Sequence, residues 1–401
     1  MNPEDFNEER VGRLIKAPQD YWAFVPDPLP PALTVDWDLA NLLSRADRVL
    51  SRLDGLAQNL PNPHLLIGPF VRREAVLSSR IEGTQASLSD LFFFEAGRSD
   101  KLESGRKPPT DVKEVANYVQ ALEYASRRIE ELPLSLRLIR ELHEILLSGV
   151  RGENRTPGEF RRSQNWVGPP GCTLMEAIYV PPPPQEMMEA LGDLENYLHK
   201  PSNLPSLIRM ALIHYQFGAI HPFLDGNGRI GRLLISLLLC HEGLLSQPLL
   251  YLSAFFEHRR PEYYRRLLEV SQSGRWRPWI LFFLQGVAEQ SHDAVLRTGQ
   301  LLGLWHGYRN RLQAARSSAL LLQLVDRLFE SPVVSVPATA KYLKVTQRSA
   351  AKAIEKLADA GILIEVTGKE RYRFYAAKEI IDIIESSDLG KSQNPDGKGV
   401  S

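Results

Sequence analysis

The sequence has little cysteine, no excess of either charge and no long apolar run, and each absence excludes a class of protein. Only two of its 401 residues are cysteines, too few for a disulfide framework or a cysteine-based zinc site, and typical of a reducing intracellular compartment. Lys and Arg number 48, as do Asp and Glu, which argues against non-specific coating of nucleic acid and against global disorder. The most apolar run, residues 233–240, is far shorter than the ~20 residues that span a bilayer. Residues 1–10 do not resemble a signal peptide, so we expect a cytoplasmic protein without a membrane anchor.

What is present is the composition of an ordinary globular protein, 43% hydrophobic and 24% charged. The length allows two to three domains of about 150 residues. Apolar residues recur at helical spacing in five segments, which predicts a mainly α fold: residues 36–56, 112–129, 136–147, 207–219 and 232–243.

Proline and glycine mark the connections between these segments. We expect Pro61, Pro63 and Pro69 to precede a helix, and residues 181–184, a run of prolines, to be extended. Before residue 330 only residues 165–180 show a strand-turn-strand pattern, with Gly and Pro at the centre. This predicts one small hairpin, with a plain surface loop as the alternative.

After Pro332 the pattern changes to that of a winged helix-turn-helix. We expect the following order: a helix opening over residues 333–340 and ending over 341–345, a second helix over 346–360 capped by Thr346, and a hairpin of residues 362–367 and 371–375 around Gly368 and Lys369. From residue 385 onward the chain is polar and expected to fray.

The stretch His-Pro-Phe-Leu-Asp-Gly-Asn-Gly-Arg-Ile-Gly-Arg, residues 221–232, carries the chemistry. Its glycines allow successive backbone N–H groups to face one concavity, and the following helix adds its N-terminal partial charge, which together suit a phosphate. Arg229 and Arg232 share a helix face and suit phosphate oxygens. Asp225 is a hard ligand for Mg²⁺ and His221 a base near neutral pH. The residues alone therefore predict a magnesium-nucleotide site with a histidine base.

A glycine-rich connection between two helices is often only a turn. Here a base, an acid, an anion nest and paired arginines fall within one loop and helical turn, which a mere connector does not require. The stretch is not a Walker A loop, because GxxxxGK[ST] is absent.

The stretch resembles the Fic-family signature HxFx[DE]GNGRxxR at every fixed position, and the similarity runs from about residue 26 to about residue 283. Similar proteins are adenylyltransferases that move AMP from ATP to a Ser, Thr or Tyr hydroxyl and release pyrophosphate. The resemblance implies a mainly α fold: a Fic-type helical bundle with a small β-hairpin flap, here residues 166–180, which pins a target segment by strand-like pairing. With the C-terminal winged helix-turn-helix, the expected organisation is an N-terminal helical region with an inhibitory motif (1–110), a Fic catalytic core (111–285), a helical connector (286–331), a winged helix-like domain (332–385) and a disordered tail (386–401).

The resemblance also implies roles for individual residues. His221 accepts the proton of the target hydroxyl, Asp225 holds Mg²⁺ or Mn²⁺ on ATP, Arg229 contacts the β-phosphate and Arg232 the γ-phosphate. Gly228 is intact where kinase-type members carry a bulkier residue, which favours AMP transfer. The other ATP-binding residues that it implies are Glu82, Val167, Gly168, Gly226, Asn227, Ile230, Gly231, Tyr263, Tyr264 and Gln272, with core packing as the alternative for the two tyrosines.

Far upstream, Ser78, Glu82 and Gly83 match the family's inhibitory signature [ST]xxxE[GN]. Ser and Glu at this spacing also occur by chance. Beside a Fic motif, the match implies that Glu82 pairs with Arg232 and excludes a productive γ-phosphate. The sequence leaves open whether inhibition acts within a protomer or across a homodimer, and whether the enzyme also removes AMP.

Two further features are expected to have structural roles only. Residues 158–161 are typical of the family near the flap, but we expect their charges only to bridge helices. His214, two helical turns before His221, is expected to be a core histidine without a metal role.

Residues 333–379 hold nine Lys and Arg against five Asp and Glu, so this module carries an excess of four positive charges. Gln347, Arg348 and Lys352 lie where a recognition helix would read DNA, whereas the alternative is a protein-docking or dimerisation module. The second functional hypothesis is therefore a nucleotide-sensing, DNA-binding regulator. The sequence does not identify the target protein.

Overall fold

The computed structural model describes residues 1–7, 9, 11–58, 64–97, 110–129, 131–314, 318–368 and 373–386. The helices up to the flap are α1 Trp37–Gln58, α2 His64–Ile81, α3 Leu88–Gly97, α4 Thr110–Arg128 and α5 Leu136–Leu147. Those that follow it are α6 Pro184–His199, α7 Ser206–Ile220, α8 Asn227–His241, α9 Ser253–His258, α10 Arg260–Ser273, α11 Trp276–Ala314 and α12 Ala319–Glu330. Among the described helices, none is long and apolar enough to cross a membrane.

Helices α7 and α8 form the centre of the bundle. All residues of α7 except Ser206 and Gly218 are buried, because apolar side chains cover most faces of this helix. Helix α4 packs on α5 and α2, and α1 lies along α11. The predicted helices are thus present, and the histidine-containing stretch forms the turn between the two most buried ones.

The structure corrects two expectations in the N-terminal region. Strands β1 Gly12–Lys16 and β2 Trp22–Pro26 form an antiparallel hairpin that we did not expect. Four of the five β2 residues are buried, so the strand lacks the alternating pattern by which half-buried strands are recognised. Pro69 does not precede a helix but lies inside α2, whereas Pro61 and Pro63 lie outside the described residues.

The predicted hairpin at residues 165–180 is present only in reduced form. A single antiparallel bridge joins Val167 to Tyr179, and a short 3₁₀ turn, Leu174–Glu176, lies between them. Pro169 and Pro170 lack the N–H groups that a longer ladder would need. We call residues 166–180 the flap.

The C-terminal part has the predicted winged helix-turn-helix order, preceded by a strand. Its elements are β3 Val333–Ser335, α13 Val336–Leu343, α14 Gln347–Asp359, β4 Ile364–Glu365, β5 Phe374–Ala376 and α15 Lys378–Glu385, with the strand order β3-β5-β4. The expectation that a helix opens at residue 333 was wrong, because the first three residues pair with β5 and Ser335 caps α13. Thr346 caps α14 as predicted. Lys369, residue 371 and the tail from residue 387 lie outside the described residues.

Candidate active site

Two buried side chains hold the turn between α7 and α8 in shape. The Asn227 Oδ1 accepts from the Phe223 N–H at 2.9 Å, and its Nδ2 donates to the Phe223 carbonyl at 2.7 Å. The Phe223 ring stacks on His143 of α5 at 3.7 Å. His143 Nδ1 accepts from the Gly158 N–H at 2.9 Å, and its Nε2 lies 3.0 Å from the Asp225 carbonyl, so Nε2 carries the proton. Desolvation lowers the pKa of His143 to about 4, which keeps this ring neutral at physiological pH.

His221 ends α7 in a left-handed backbone conformation, with φ 50° and ψ 59°. Its carbonyl accepts from Arg161 Nε at 3.0 Å and from Asn165 Nδ2 at 3.3 Å. The ring Nδ1 lies 3.3 Å from the Gly218 carbonyl, which places the proton on Nδ1 and leaves the lone pair on Nε2. Desolvation lowers the pKa of His221 to about 4, so the ring is neutral and can act as a base.

Arg229 projects from the first turn of α8 into a buried ion-pair cluster. Its guanidinium lies 3.4 Å from Glu114 of α4 and 3.3 Å from Asp225. Arg229 is 1% exposed, and Glu114 is almost equally buried. A buried carboxylate therefore holds this cation at the start of the helix. The first backbone N–H groups of the helix, which have no hydrogen-bond partner within it, lie at the same end.

Arg232, one turn later, is held by the end of α2. Its Nε donates to Ser78 Oγ at 2.8 Å, and its Nη2 donates to the Ser78 carbonyl at 2.9 Å and to Glu82 Oε1 at 2.8 Å. Its Nη1 is buried and has no hydrogen-bond partner. Burial alone would lower the pKa of Arg232, but the Glu82 carboxylate more than offsets this and raises it. Arg232 thus remains charged and keeps one donor nitrogen free.

Glu82 follows the last residue of α2 and reaches over Gly228. A Cβ atom at Gly228 would overlap Glu82 Oε1 and lie 3.0 Å from Arg232 Nη1. Burial would raise the pKa of Glu82, but the charge and hydrogen bond of Arg232 outweigh it and hold the pKa below its ordinary value. Gly83, with φ 96°, turns the chain away from the site. An ionised carboxylate therefore covers the first turn of α8.

Asp225 is the candidate metal ligand of the turn. Its Oδ1 accepts from the Gly226 N–H at 2.6 Å and lies 3.3 Å from Arg229, and its side chain is 35% exposed. Across the described ranges no group of three or more His, Cys, Asp or Glu side chains could hold a metal. A single carboxylate fits Mg²⁺, which keeps waters and takes phosphate oxygens as its remaining ligands.

The downstream tyrosines occupy different environments. Tyr263 is buried, and its hydroxyl bonds to His214 Nε2 at 2.8 Å, while His214 Nδ1 lies 3.0 Å from the Gly231 carbonyl. Both ring nitrogens of His214 are therefore satisfied in the core, as expected. Tyr263 packs in the core, yet it too lies close enough to Arg232 and Glu82 for their charges to act on its hydroxyl. Tyr264 is 41% exposed and lies close enough to Glu82 and Arg232 for their charges to act on its hydroxyl.

Two family models cover this region of the chain. Residues 133–239 match the model described as "Fic/DOC family", and residues 40–127 match "Fic/DOC family N-terminal". The chain contains a Fic domain. Residues 321–376 match a third model, "HTH DNA binding domain".

Relatives and solved structures agree with this domain. The proteins named "Protein adenylyltransferase Fic" from Drosophila grimshawi and Drosophila virilis are each 31% identical over 170 residues, which cover 42% of this chain and 31% of the relative. The chain thus matches about a third of the length of these curated relatives. The crystal structure of a Fic family protein from Desulfovibrio desulfuricans, 19% identical, covers 87% of this chain and 98% of its own with a TM-score of 0.55. These findings confirm the predicted helical Fic fold with a C-terminal helix-turn-helix.

The structure places most of the predicted site residues of the Fic domain around one turn. Ser78 and Glu82 meet Arg232 there, and Asp225 meets Arg229. The Asn227 side chain makes hydrogen bonds to the Phe223 backbone within the turn. Ile230 is 0% exposed and belongs to the core. The remaining residues of the turn region are Gly226, Gly228 and Gly231.

Other predicted residues lie on other elements. Gln272 lies two turns beyond Tyr264 on α10, where its carbonyl accepts from the Asn7 N–H, and the hydrogen bonds of the described chain do not connect it to the turn. Val167 and Gly168 lie in the flap. A Cβ at Gly168 would be 2.6 Å from Cys172 Sγ, so the flap tip is closed on itself.

Sequence reasoning missed the residues that support the Fic-domain turn from other elements. His143, Glu114 and Asn165 were not predicted as site residues, and Arg161 was expected only to bridge helices. A lone His or Glu on an amphipathic helix gives no local signal of this role. The pattern Phe160-Arg161 just before the flap was the one usable indication.

Proposed function

We propose that the protein is an adenylyltransferase that moves AMP from ATP to a hydroxyl group of a protein, itself included. The observation that carries the proposal is the neutral His221, whose Nε2 is free to accept a proton, in the same turn as the helix N-terminus and the two arginines. A binding or sensing site would need the phosphate-binding groups but no base. The names of the curated relatives support the same class of reaction.

In the proposed reaction, the oxygen of the target hydroxyl attacks the α-phosphorus of ATP. The hydroxyl proton passes to His221 Nε2, the bond between the α-phosphorus and the bridging oxygen breaks, and pyrophosphate leaves. Transfers of this kind depend mainly on position and charge. The α8 N-terminus would stabilise the charge on the reacting phosphate, Arg229 would contact the β-phosphate and Arg232 the γ-phosphate.

Asp225 would hold the divalent cation, Mg²⁺ or Mn²⁺. When bound, the cation would neutralise charge on the ATP phosphates and favour departure of pyrophosphate. The Gly226 N–H and Arg229 orient Asp225 for this role, because both bond to its Oδ1. The other carboxylate oxygen, Oδ2, lies near Gly152.

The flap would receive the protein substrate. It exposes four large apolar side chains next to the turn, which is unusual for so short a segment: Trp166, Val167, Met175 and Ile178. An extended segment lying across them would present its hydroxyl to His221.

We further propose that Glu82 inhibits the transfer. Glu82 forms an ion pair with the guanidinium of Arg232, which would otherwise contact the γ-phosphate. Glu82 also covers Gly228 at the start of α8. With Glu82 in place, ATP would bind without its phosphates in line for attack. The contact connects residues of one chain, which supports inhibition within a protomer.

Labelled ATP tests the reaction directly. With the Glu82→Gly variant and ATP labelled at the α-phosphate, the protein should gain label and one AMP in mass, and His221→Ala should abolish both. Label arriving only from the γ position would instead show a kinase. Autoinhibition would be refuted by equal labelling of Glu82→Gly and the parent protein.

A second candidate function rests on the C-terminal module. Residues 321–376 match an HTH DNA-binding model, and Gln347, Arg348 and Lys352 are exposed on α14. We propose that this face contacts a DNA duplex, with Lys and Arg on phosphates. Retention on duplex DNA that falls with rising salt, and that Arg348→Ala with Lys352→Ala weakens, would support it; retention unaffected by either would exclude it.

A further inference from the structure

Arg161 is a buried cation without an anion. It is 2% exposed, and none of the ion pairs in the described part of the chain includes it. Burying a charge without a partner is costly, so such a residue persists where its hydrogen bonds are needed. All of the bonds that its guanidinium makes go to backbone carbonyls.

These carbonyls belong to three separate segments. Arg161 Nε donates to His221 at 3.0 Å, Nη1 donates to Ser163 at 3.1 Å, and Nη2 donates to Pro182. The Arg161 backbone N–H also donates to the Pro222 carbonyl at 2.9 Å. One side chain thus joins the segment just before the flap, the proline run after the flap and the turn that carries His221.

Asn165 strengthens the same junction. Its Nδ2 donates to the carbonyls of His221 at 3.3 Å and of Phe223 at 2.8 Å. At the other end of the flap, the Tyr179 hydroxyl donates to the Ala219 carbonyl at 2.8 Å. Both ends of the flap are therefore tied to the residues on either side of the base.

His221 needs such support because its left-handed backbone is unfavourable for a non-glycine residue, by roughly 1–3 kcal/mol. Two donors on its carbonyl hold the peptide group that joins it to Pro222 and so restrain the backbone from which the ring projects. We infer that Arg161 is a positioning residue: through its bond to the His221 carbonyl, with Asn165, it holds the base in the orientation for transfer and ties that orientation to the flap. The inference rests on the proposed function of His221.

The test compares two buried arginines in the Glu82→Gly background. Arg209 on α7 is also buried and donates to the carbonyls of Tyr197 and Leu198, but it pairs with Glu242 away from the turn. Lys keeps the charge and loses the planar set of donors. We expect Arg161→Lys to lower kcat about 10- to 100-fold, with the KM for ATP unchanged within about twofold. Arg209→Lys should leave both parameters near those of the background.

A loss shared equally by Arg161→Lys and Arg209→Lys, or a loss confined to KM, would overturn the inference. If Arg161→Lys fails to fold, Asn165→Ala removes the second donor and should lower kcat in the same way, whereas unchanged kcat would count against the role.

A readout without turnover separates this inference from the proposed function. The ring-proton NMR signals of His221, assigned by comparison with His221→Asn, should shift in Arg161→Lys and Asn165→Ala but not in Arg209→Lys. Unshifted signals would overturn the positioning role. Shifted signals in a protein that transfers no AMP would support the positioning role and contradict the proposed function.

Discussion

Gly228 lies where two other side chains need the room. Glu82 reaches over it to Arg232, and a side chain at this position would overlap the carboxylate. Gly228 lies in the first turn of α8 with ordinary helical geometry, so its backbone conformation does not require a glycine. The close approach of Glu82 does. The same absence of a side chain would let a phosphate approach the backbone once Glu82 moves away.

Helix propensity alone predicts that alanine at Gly228 would stabilise the protein. Because of the contact with Glu82, we expect it to destabilise the protein instead. The matched control is Gly192 of α6, where a Cβ would meet nothing within 4 Å. We expect Gly192→Ala to raise the free energy of unfolding by about 0.5–1 kcal/mol and Gly228→Ala to lower it by about 1–2 kcal/mol, because Arg232 loses its carboxylate. Urea unfolding measures both, and equal stabilisation by the two substitutions would contradict the steric role.

The low pKa of His221 predicts an unusual pH dependence for a histidine base. The base must be neutral, so activity should fall only as the pH drops through its pKa, which desolvation lowers from 6.5 to about 4. We expect kcat/KM of the Glu82→Gly form to stay level from about pH 7 to about pH 5 and to fall near pH 4. The measurement is a pH–rate profile, with tryptophan fluorescence to show that the protein stays folded. A fall centred near pH 6.5 would show that the ring is not desolvated.

At the scale of elements, α2 and the residue that follows it carry three polar residues toward the core at four-residue spacing: Glu74, Ser78 and Glu82. Glu74 is 2% exposed and bonds to the hydroxyl of Tyr118 at 3.2 Å and to Ser253. Ser78 and Glu82 bond to Arg232. The face that an amphipathic helix would normally make apolar thus carries polar groups that bond to α4, α9 and α8, and the bonds to Arg232 of α8 fix the position of Glu82.

Glu74 should make stability depend on pH. Burial raises its pKa from 4.5 to about 7, so between these values the folded state binds a proton that the unfolded state does not. The free energy of unfolding therefore falls as the pH rises through this window, by on the order of 2–3 kcal/mol. Glu74→Gln resembles the protonated form. Its gain in free energy of unfolding over the parent should therefore be larger at pH 8 than at pH 5, by this amount. Urea unfolding at both pH values measures it, and the same difference at each would refute the assignment.

The elements show which features could be predicted from the sequence. Helix α5 was predicted with its observed bounds, because its apolar stripe is regular and Ser135 caps it. Strand β2 was missed because it is buried on both faces. The turn of the site was predicted because its residues are contiguous. Arg161 and His143 act on residues 60 and 82 positions away, and only tertiary packing brings them there.

At the scale of the whole molecule, the segment around Glu82 touches the C-terminal part of the chain, from α12 onward, on both sides. Before Glu82, Gly68 of α2 lies against the backbone of Glu330. After it, Phe93 of α3 meets Phe374 of β5 edge-on at 5.8 Å. The Fic domain and the C-terminal module therefore share the packing of α2 and α3 and should unfold together.

Arg297 of α11 is the central connection in this packing. It is 1% exposed, pairs with Asp293 at 2.7 Å, and donates to the Ile384 carbonyl at 3.1 Å and to Ser386 at the end of α15. Asp293 in turn lies 3.3 Å from Arg73 of α2. A line of ionic and hydrogen bonds thus runs from α2 to α15, the last helix of the C-terminal module.

Removing Arg297 should loosen the C-terminal module. Arg297→Ala leaves the buried carbonyls at the end of α15 without a donor, which should cost about 2–4 kcal/mol and separate the unfolding of the module from that of the Fic domain. Arg277→Ala is the control on the same helix, because Arg277 pairs with Asp36 and Asp38 at exposed positions, where ion pairs contribute about 0–1 kcal/mol. Calorimetry should show an early transition for Arg297→Ala alone. A single transition at the same temperature in both variants would mean that Arg297 does not connect the two parts, and that the contacts of Gly68 and Phe93 hold the module by themselves.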